Sequence, residues 1–218
     1  MKKRFVFAIT LFILLSTFKP EIIFSKNKFN IKEIEIDNNF ILKSNDLKKD
    51  LIFIYDENLV FLNTHNINKI LKNFSFIDSY EIKKIYPNKL KIKIYEKKPI
   101  AILHKKKEKF YISEKIELIN FINLENYKDL PIVIGNEEYF KELYKNLKKM
   151  NFPLEIIKKY YSYETRRWDI EIYNKIIIKL PPRNYIKSLK NFMKLRNENN
   201  FDKYKVFDYR INNQLILK

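Results

Sequence analysis

The side chains that could do chemistry are few and scattered. His65 and His104 are the only histidines, Gly135 is the sole glycine, and there is no cysteine. His65 sits at a predicted helix start and His104 beside Lys105-Lys106-Lys107; each reads as a solvated surface residue. No metalloprotease H-E-x-x-H exists, and one glycine cannot build a phosphate-cradling loop, a dinucleotide G-x-G-x-x-G or a G-x-S-x-G elbow. The missing cysteines exclude disulfides, cysteine-type zinc sites and thiol catalysis. Glu137-Glu138 are adjacent carboxylates at a helix start, where they complement the helix dipole. No catalytic, cofactor-binding or metal residue is assigned, and the chain reads as a non-enzyme. What remains is the chemistry of the backbone. Val206-Phe207-Asp208-Tyr209-Arg210 reads as a strand, Asn212-Asn213 as a turn, and Leu215-Ile216-Leu217-Lys218 as a strand-like segment on which the sequence stops. A strand at a terminus is a candidate sheet edge, whose unpaired N–H and C=O groups can accept a strand from another chain.

Two units must carry that edge. In the first, Ile31, Ile34 and Ile36 mark a strand. Ser44 is placed to cap a short helix through Leu51, and Thr64 a second helix with Ile67, Ile70 and Leu71 on one face. Tyr80 and Ile82 lead to a turn at Tyr86-Pro87-Asn88-Lys89. Leu90, Ile92 and Ile94 then alternate with Lys91, Lys93 and Tyr95, giving one buried and one wet face. The order is β-α-α-β-β. Pro99 disfavours a central ladder position and marks a boundary. Beyond it, 110–112 and 116–119 read as paired short strands, and 130–135 as a strand ending at Gly135, which supplies a positive φ or a close approach. Phe140, Leu143, Leu147 and Met150 lie at helical spacing. Strand-like runs at 156–163, 168–173 and 176–180 stop at Pro181-Pro182, and Tyr185, Leu189, Phe192 and Arg196 fit a second helix. The fold class is α+β: a small sheet with helices on one face, then a β-rich unit with two helices.

The formal charge of +18 comes from 44 Lys and Arg against 26 Asp and Glu. These cations are dispersed, which disfavours nucleic-acid binding and suits a solvated surface or proximity to anionic lipid. Lys2-Lys3-Arg4 precedes the uncharged run Phe5 to Phe18, which includes Leu11 and Leu15. A cationic cluster before an apolar run is an export signal and leaves the remainder of the chain outside the cytoplasm. The run is short for a span, which favours a cleaved signal. No small-x-small cleavage pattern follows it, which favours a retained single-pass anchor built on Phe5, Leu11, Leu15 and Phe18, and the anchor is the reading adopted.

Ordered matches over residues 31–218 resemble the bacterial FtsQ/DivIB cell division family. Asn58-Leu59-Val60-Phe61-Leu62 is similar to its N-L-F-x-L/I segment. The stretch from Ile85 through Tyr86-Pro87 and Glu96 to Pro99-Ile100-Ala101 is similar to its R-x-Y/W-P-x-x-L-x-I-x-V-x-E-x-x-P-V/I-A signature. Leu130-Pro131 with Gly135, Arg166-Arg167-Trp168, Leu180-Pro181 and Val206 to Arg210 follow in family order. Three positions depart: Glu57 replaces a glycine, Ile102-Leu103 an aromatic, and Ser113-Glu114-Lys115 a D-x-x-G turn.

The resemblance implies a cytoplasmic stub and anchor over 1–24, a POTRA domain over 25–98 and an FtsQ-type β domain over 99–218. It implies a divisome scaffold in the inner membrane, single-pass, with a cytoplasmic N-terminus, a periplasmic bulk and a place at the division septum. Its implied partners are FtsB/FtsL-type bitopic coiled-coil proteins, other divisome members and inner-membrane lipid, with no nucleic acid and no cofactor. Docking would be β-augmentation at the C-terminal edge. The residues carried over are Asp208, Tyr209, Arg210, Ile211 and Asn213, with Leu215 added for side-chain contact and Arg210 for a charge-assisted one. The main alternative is a secreted basic protein binding nucleic acid or a cell-wall polyanion. An outer-membrane assembly factor would need far more strands after the POTRA unit.

Overall fold

The computed structural model describes residues 2–17, 28–197, 203–211 and 214–218. It divides into two compact units, Met1–Glu96 and Lys97–Lys218. The first apolar run forms helix α1 (Lys2–Ser16), with Phe5, Leu11 and Leu15 exposed along with its other apolar side chains. Phe18 lies outside the described residues. Among the described residues no helix is long and apolar enough to cross a membrane. The 15 residues of α1 reach about 22 Å at 1.5 Å per residue, against a hydrocarbon thickness of roughly 30 Å. The expected single span therefore has no spanning helix behind it among these residues.

The rest of the first unit runs β1 (Glu33–Asp37), α2 (Ser44–Asp50), α3 (His65–Asn73), β2 (Ile77–Ile85) and β3 (Lys89–Glu96), in the expected β-α-α-β-β order. The sheet order is β1-β3-β2. β2 and β3 form the hairpin, with a cis Tyr86–Pro87 peptide in its turn, and β1 lies parallel to β3. A parallel neighbour needs a crossover, which α2 and α3 supply. Leu90, Ile92 and Ile94 are fully buried against Ile34, Leu47, Leu51, Ile67 and Leu71. Each such side chain contributes about 1.5–3 kcal/mol by leaving water.

Both expected caps are corrected. Ser44 is already the first helical residue, behind Lys43, and no side chain caps α2. Thr64 holds the cap position of α3 without a side-chain bond; Asn63 Oδ1 instead accepts from the His65 N–H at 2.9 Å. A short acceptor one residue earlier does the work expected of the threonine.

The wet face of this sheet is an ion-pair ladder. Register places Glu33 beside Lys89, Glu35 beside Lys91 and Asp37 beside Lys93. Lys89 pairs with both Glu33 and Glu35, while Lys91 reaches Glu35 at 2.6 Å and Asp37 at 2.5 Å. Hydrogen bonds from Lys89 and Lys91 hold the Glu35 carboxyl at about 2, below its ordinary 4.5. A carboxylate depressed on folding stabilises the native state above its unfolded value and loses that contribution as pH falls toward its folded one. Stability of the first unit should therefore drop between about pH 4.5 and 2, and Glu35→Gln should flatten that part of the profile. Circular dichroism melts across this window check it; an unchanged slope in the variant would remove Glu35 from the account.

Two loops of this unit are pinned by charged side chains at the strand ends. At the C-terminal end of β3 the Glu96 carboxylate accepts from the backbone N–H groups of Phe40, Ile41 and Leu42 at 2.8–3.1 Å. At the other end, Lys84 Nζ donates to the carbonyls of Val60 and Leu62 at 3.2 and 3.1 Å.

The second unit holds β4 (Pro99–Lys105), β5 (Glu108–Ser113), β6 (Leu118–Asn120), β7 (Ile132–Ile134), α4 (Glu137–Lys149), β8 (Ile157–Ser162), β9 (Trp168–Ile172), β10 (Ile177–Lys179), α5 (Tyr185–Leu195), β11 (Val206–Asp208) and β12 (Ile216–Leu217). These strands form one nine-stranded sheet, ordered β12-β11-β10-β9-β8-β7-β4-β5-β6. Pro99 opens β4 rather than interrupting it, a strand position that needs no proline N–H. Phe140, Leu143 and Leu147 of α4 and Leu189 and Phe192 of α5 pack into one core with Trp168, Ile170, Ile178 and Phe207. Asn146 Nδ2 donates to the Tyr185 hydroxyl at 2.6 Å, joining the two helices.

Candidate docking edge

The order of the large sheet decides which backbone is free. β11 lies between two neighbours, parallel to β10 and antiparallel to β12. The strand expected to dock a partner, Asp208 to Asn213, is thus corrected on two counts. It stops at Asp208, and Asp208 is flanked on both sides, by Lys179 and Ile216. Tyr209 has left the strand, its N–H still donating to the Lys179 carbonyl at 2.9 Å. Asn213 lies outside the described residues.

The edge passes instead to β12, the outermost strand at this end of the sheet. Its hydrogen bonds to β11 alternate. Lys218 N donates to the Val206 carbonyl at 3.1 Å, and Val206 N to the Lys218 carbonyl at 2.9 Å. Lys218 is therefore a bonded position, as is Ile216 two residues before it. In an antiparallel pair the residues between bonded positions turn their N–H and C=O the other way. The outward groups of this edge belong to Leu217 and, by the same period, Leu215. Their side chains pack on the core of the unit, while Ile216 is 37% exposed on the opposite face. Main-chain recognition here would come from Leu215 and Leu217. Leu217 was not among the expected site residues, although the apolar period of two from Leu215 was there to be read.

Arg210 is engaged rather than free. Its Nε donates to both Asp208 oxygens at 2.9 and 3.0 Å, and its Nη2 to Oδ2 at 2.6 Å. That pair holds the Asp208 carboxyl below its usual range and the guanidinium above its own. Glu171, the acid of β9, is engaged elsewhere, with Lys159 at 3.3 Å and the Tyr161 hydroxyl at 2.8 Å. Tyr209 is buried; its hydroxyl donates to Asn191 Oδ1 at 2.8 Å, and burial pushes the phenol up. Arg210, Ile211 and Leu215 line a groove of about 910 Å³ shared with Arg183, just before α5, and with Ile186 and Lys187 in its first turn. Ile211 is half exposed there.

On the face away from the helices, register sets Asp169, Lys179, Asp208 and Ile216 side by side across four strands. Asp169 is only 4% exposed; the Tyr163 hydroxyl donates to its Oδ2 at 3.1 Å, while Arg167 Nε stands 3.4 Å from Oδ1 as an ion pair without a hydrogen bond. Burial raises the Asp169 carboxyl in spite of these partners. The Arg167 guanidinium lies 3.9 Å from the Tyr163 ring centroid. Arg166 stands over Tyr139, and Trp168 is a packed core residue against Phe140. This charged row follows from strand order and has no linear signature. Among the described residues no group of His, Cys, Asp and Glu could hold a metal ion.

Comparison with known proteins addresses the whole arrangement. Residues 29–97 match the family model for the POTRA domain, FtsQ-type, and residues 101–210 that for the cell division protein FtsQ/DivIB, C-terminal. The second match stops at Arg210, short of β12. One solved structure resembling the chain is the major extracytoplasmic domain of the trans isomer of the bacterial cell division protein DivIB from Geobacillus stearothermophilus. It is 17% identical, covers 44% of this chain and 87% of its own, and has a TM-score of 0.31, too low to support the assignment. No curated protein matches the chain. With an FtsQ-type POTRA unit followed by the FtsQ/DivIB C-terminal region, together spanning most of the sequence, the chain belongs to the FtsQ/DivIB family of cell division proteins.

Proposed function

We propose that this chain is a non-enzymatic scaffold of the divisome that docks FtsB/FtsL-type bitopic partners by β-augmentation on β12. The observation that carries the reading is the place of β12 at the end of the sheet, with the Leu215 and Leu217 backbone turned outward. Family membership supports a role in cell division. α1, apolar all round and exposed, supports attachment to the inner membrane with the two folded units on the periplasmic side.

The mode of docking has a direct test. Leu217→Pro removes one outward N–H and sets a ring against an incoming strand, while the bonds of Ile216 and Lys218 to β11 stay in place. Capture of the partner's extracytoplasmic segment, measured by calorimetry, should weaken at least tenfold, or about 1.4 kcal/mol. Leu217→Val should bind normally. Unaltered affinity in the proline variant, with Trp168 fluorescence reporting a native fold, would exclude β12 as the docking strand.

A further inference from the structure

We infer that the end of the first unit bearing Phe61 and Tyr86 rests on the bilayer interface, a contact additional to partner docking. The inference rests on the proposed membrane attachment of the N-terminal helix. Segments 29–33, 56–62 and 84–89 meet at this end. Leu59 N donates to the Phe29 carbonyl at 2.8 Å, Lys32 N to the Asn88 carbonyl at 2.9 Å, and the Phe29 and Tyr86 rings stand edge to face 6.3 Å apart. Phe61 is 75% exposed and Tyr86 56%. Neither aromatic is on a loose loop: Lys84 clamps the carbonyls on either side of Phe61, and Tyr86 sits in the β2–β3 turn. A rigid exposed aromatic marks an interaction surface, since its apolar area meets water and little entropy is left to lose on contact.

Chain connectivity names the occupant. The apolar helix α1 ends at Ser16, and the POTRA part of the first unit begins at this same end, at Phe29. The residues between them reach roughly 45 Å even when fully extended. If α1 is seated in a bilayer, this end of the unit is held within that distance of the headgroups and the far end is not. Amphipathic rings collect at the headgroup level, where the ring leaves water and a phenol can stay wet. Lys28 and Lys83, both exposed, flank the aromatics and suit anionic lipid. Asp56 and Glu57 lie on the same end and oppose it, so aromatic insertion is the main contact and cationic attraction the lesser one.

The chain has no cysteine, so single Phe61→Cys, Tyr86→Cys and Phe40→Cys variants of the full-length protein take a polarity-sensitive fluorophore at one site each. Phe40, 85% exposed on the loop held by Glu96, is the reference at the far end of β3, about 25 Å away along eight residues of strand. In vesicles of phosphatidylethanolamine and phosphatidylglycerol, the labels at 61 and 86 should shift to the blue. Lipids spin-labelled near the headgroup should quench them several-fold more than the label at 40. Protein that floats with the vesicles but carries water-like labels at 61 and 86 overturns this contact alone. Equal shifts at all three sites overturn it too, as general adhesion. Protein that fails to float overturns the attachment itself and the contact with it.

Discussion

Replacing Phe192 with alanine should destabilise the second unit by about 3–5 kcal/mol, the range for emptying a phenylalanine site in a packed core. Phe192 is fully buried and lies where the helix layer meets the sheet. Its ring stands edge to face on Phe207 at 5.1 Å and stacks with Phe152 at 6.4 Å. Both neighbours are fixed, Phe207 on a strand paired on both sides and Phe152 just beyond the end of α4, so the site has little freedom to collapse. The loss also falls next to β11, on which β12 depends. Urea unfolding followed by Trp168 fluorescence checks it, because Trp168 is the only tryptophan and belongs to the second unit. A fall below about 1 kcal/mol would mean that α5 contributes little to holding the closing strands. Partner capture should weaken in the same variant even at temperatures where it stays folded.

The second large effect is expected at Gly135. Its φ is +129°, a region that residues with a Cβ rarely adopt, and a Cβ built there would fall on the side chain of Ser162, with Ser162 Oγ at 3.2 Å and its Cα at 3.3 Å. Backbone strain costs about 1–3 kcal/mol and overpacking about as much again, so Gly135→Ala should lose roughly 3–5 kcal/mol. The two causes separate in a double-mutant cycle. Ser162→Gly opens the space and leaves φ as it was, so it should recover about half of the loss. Complete recovery would show that crowding alone requires the glycine; no recovery would show that φ alone does. The one glycine stands where β7 leaves the sheet to begin α4.

Local order was legible wherever period and burial agreed. The alternation of Leu90, Ile92 and Ile94, the helical spacing of Phe140, Leu143 and Leu147, and the stop at Pro181-Pro182 each depend on neighbours a few residues away, and each stands in the structure. The caps expected at Ser44 and Thr64 do not form because several polar side chains compete for the same first-turn donors, and backbone geometry picks among them.

The docking edge needed more than local pattern. Residues 206–210 and 215–218 look alike as strand formers, and nothing in their composition says which will lie outside. That depends on Val206 to Asp208 taking β10 as a parallel neighbour and so leaving the outer place to Ile216 and Leu217. Just past the end of β11, Arg210 turns back onto Asp208. By itself the sequence determined the two units, the element order of the first and the family, because those follow from short-range periodicity and spaced motifs; β4, mid-sheet behind Pro99, it did not. Only the tertiary structure decided which backbone groups face outward, because a hydrogen-bonding edge belongs to the order of strands in a sheet and not to any one strand.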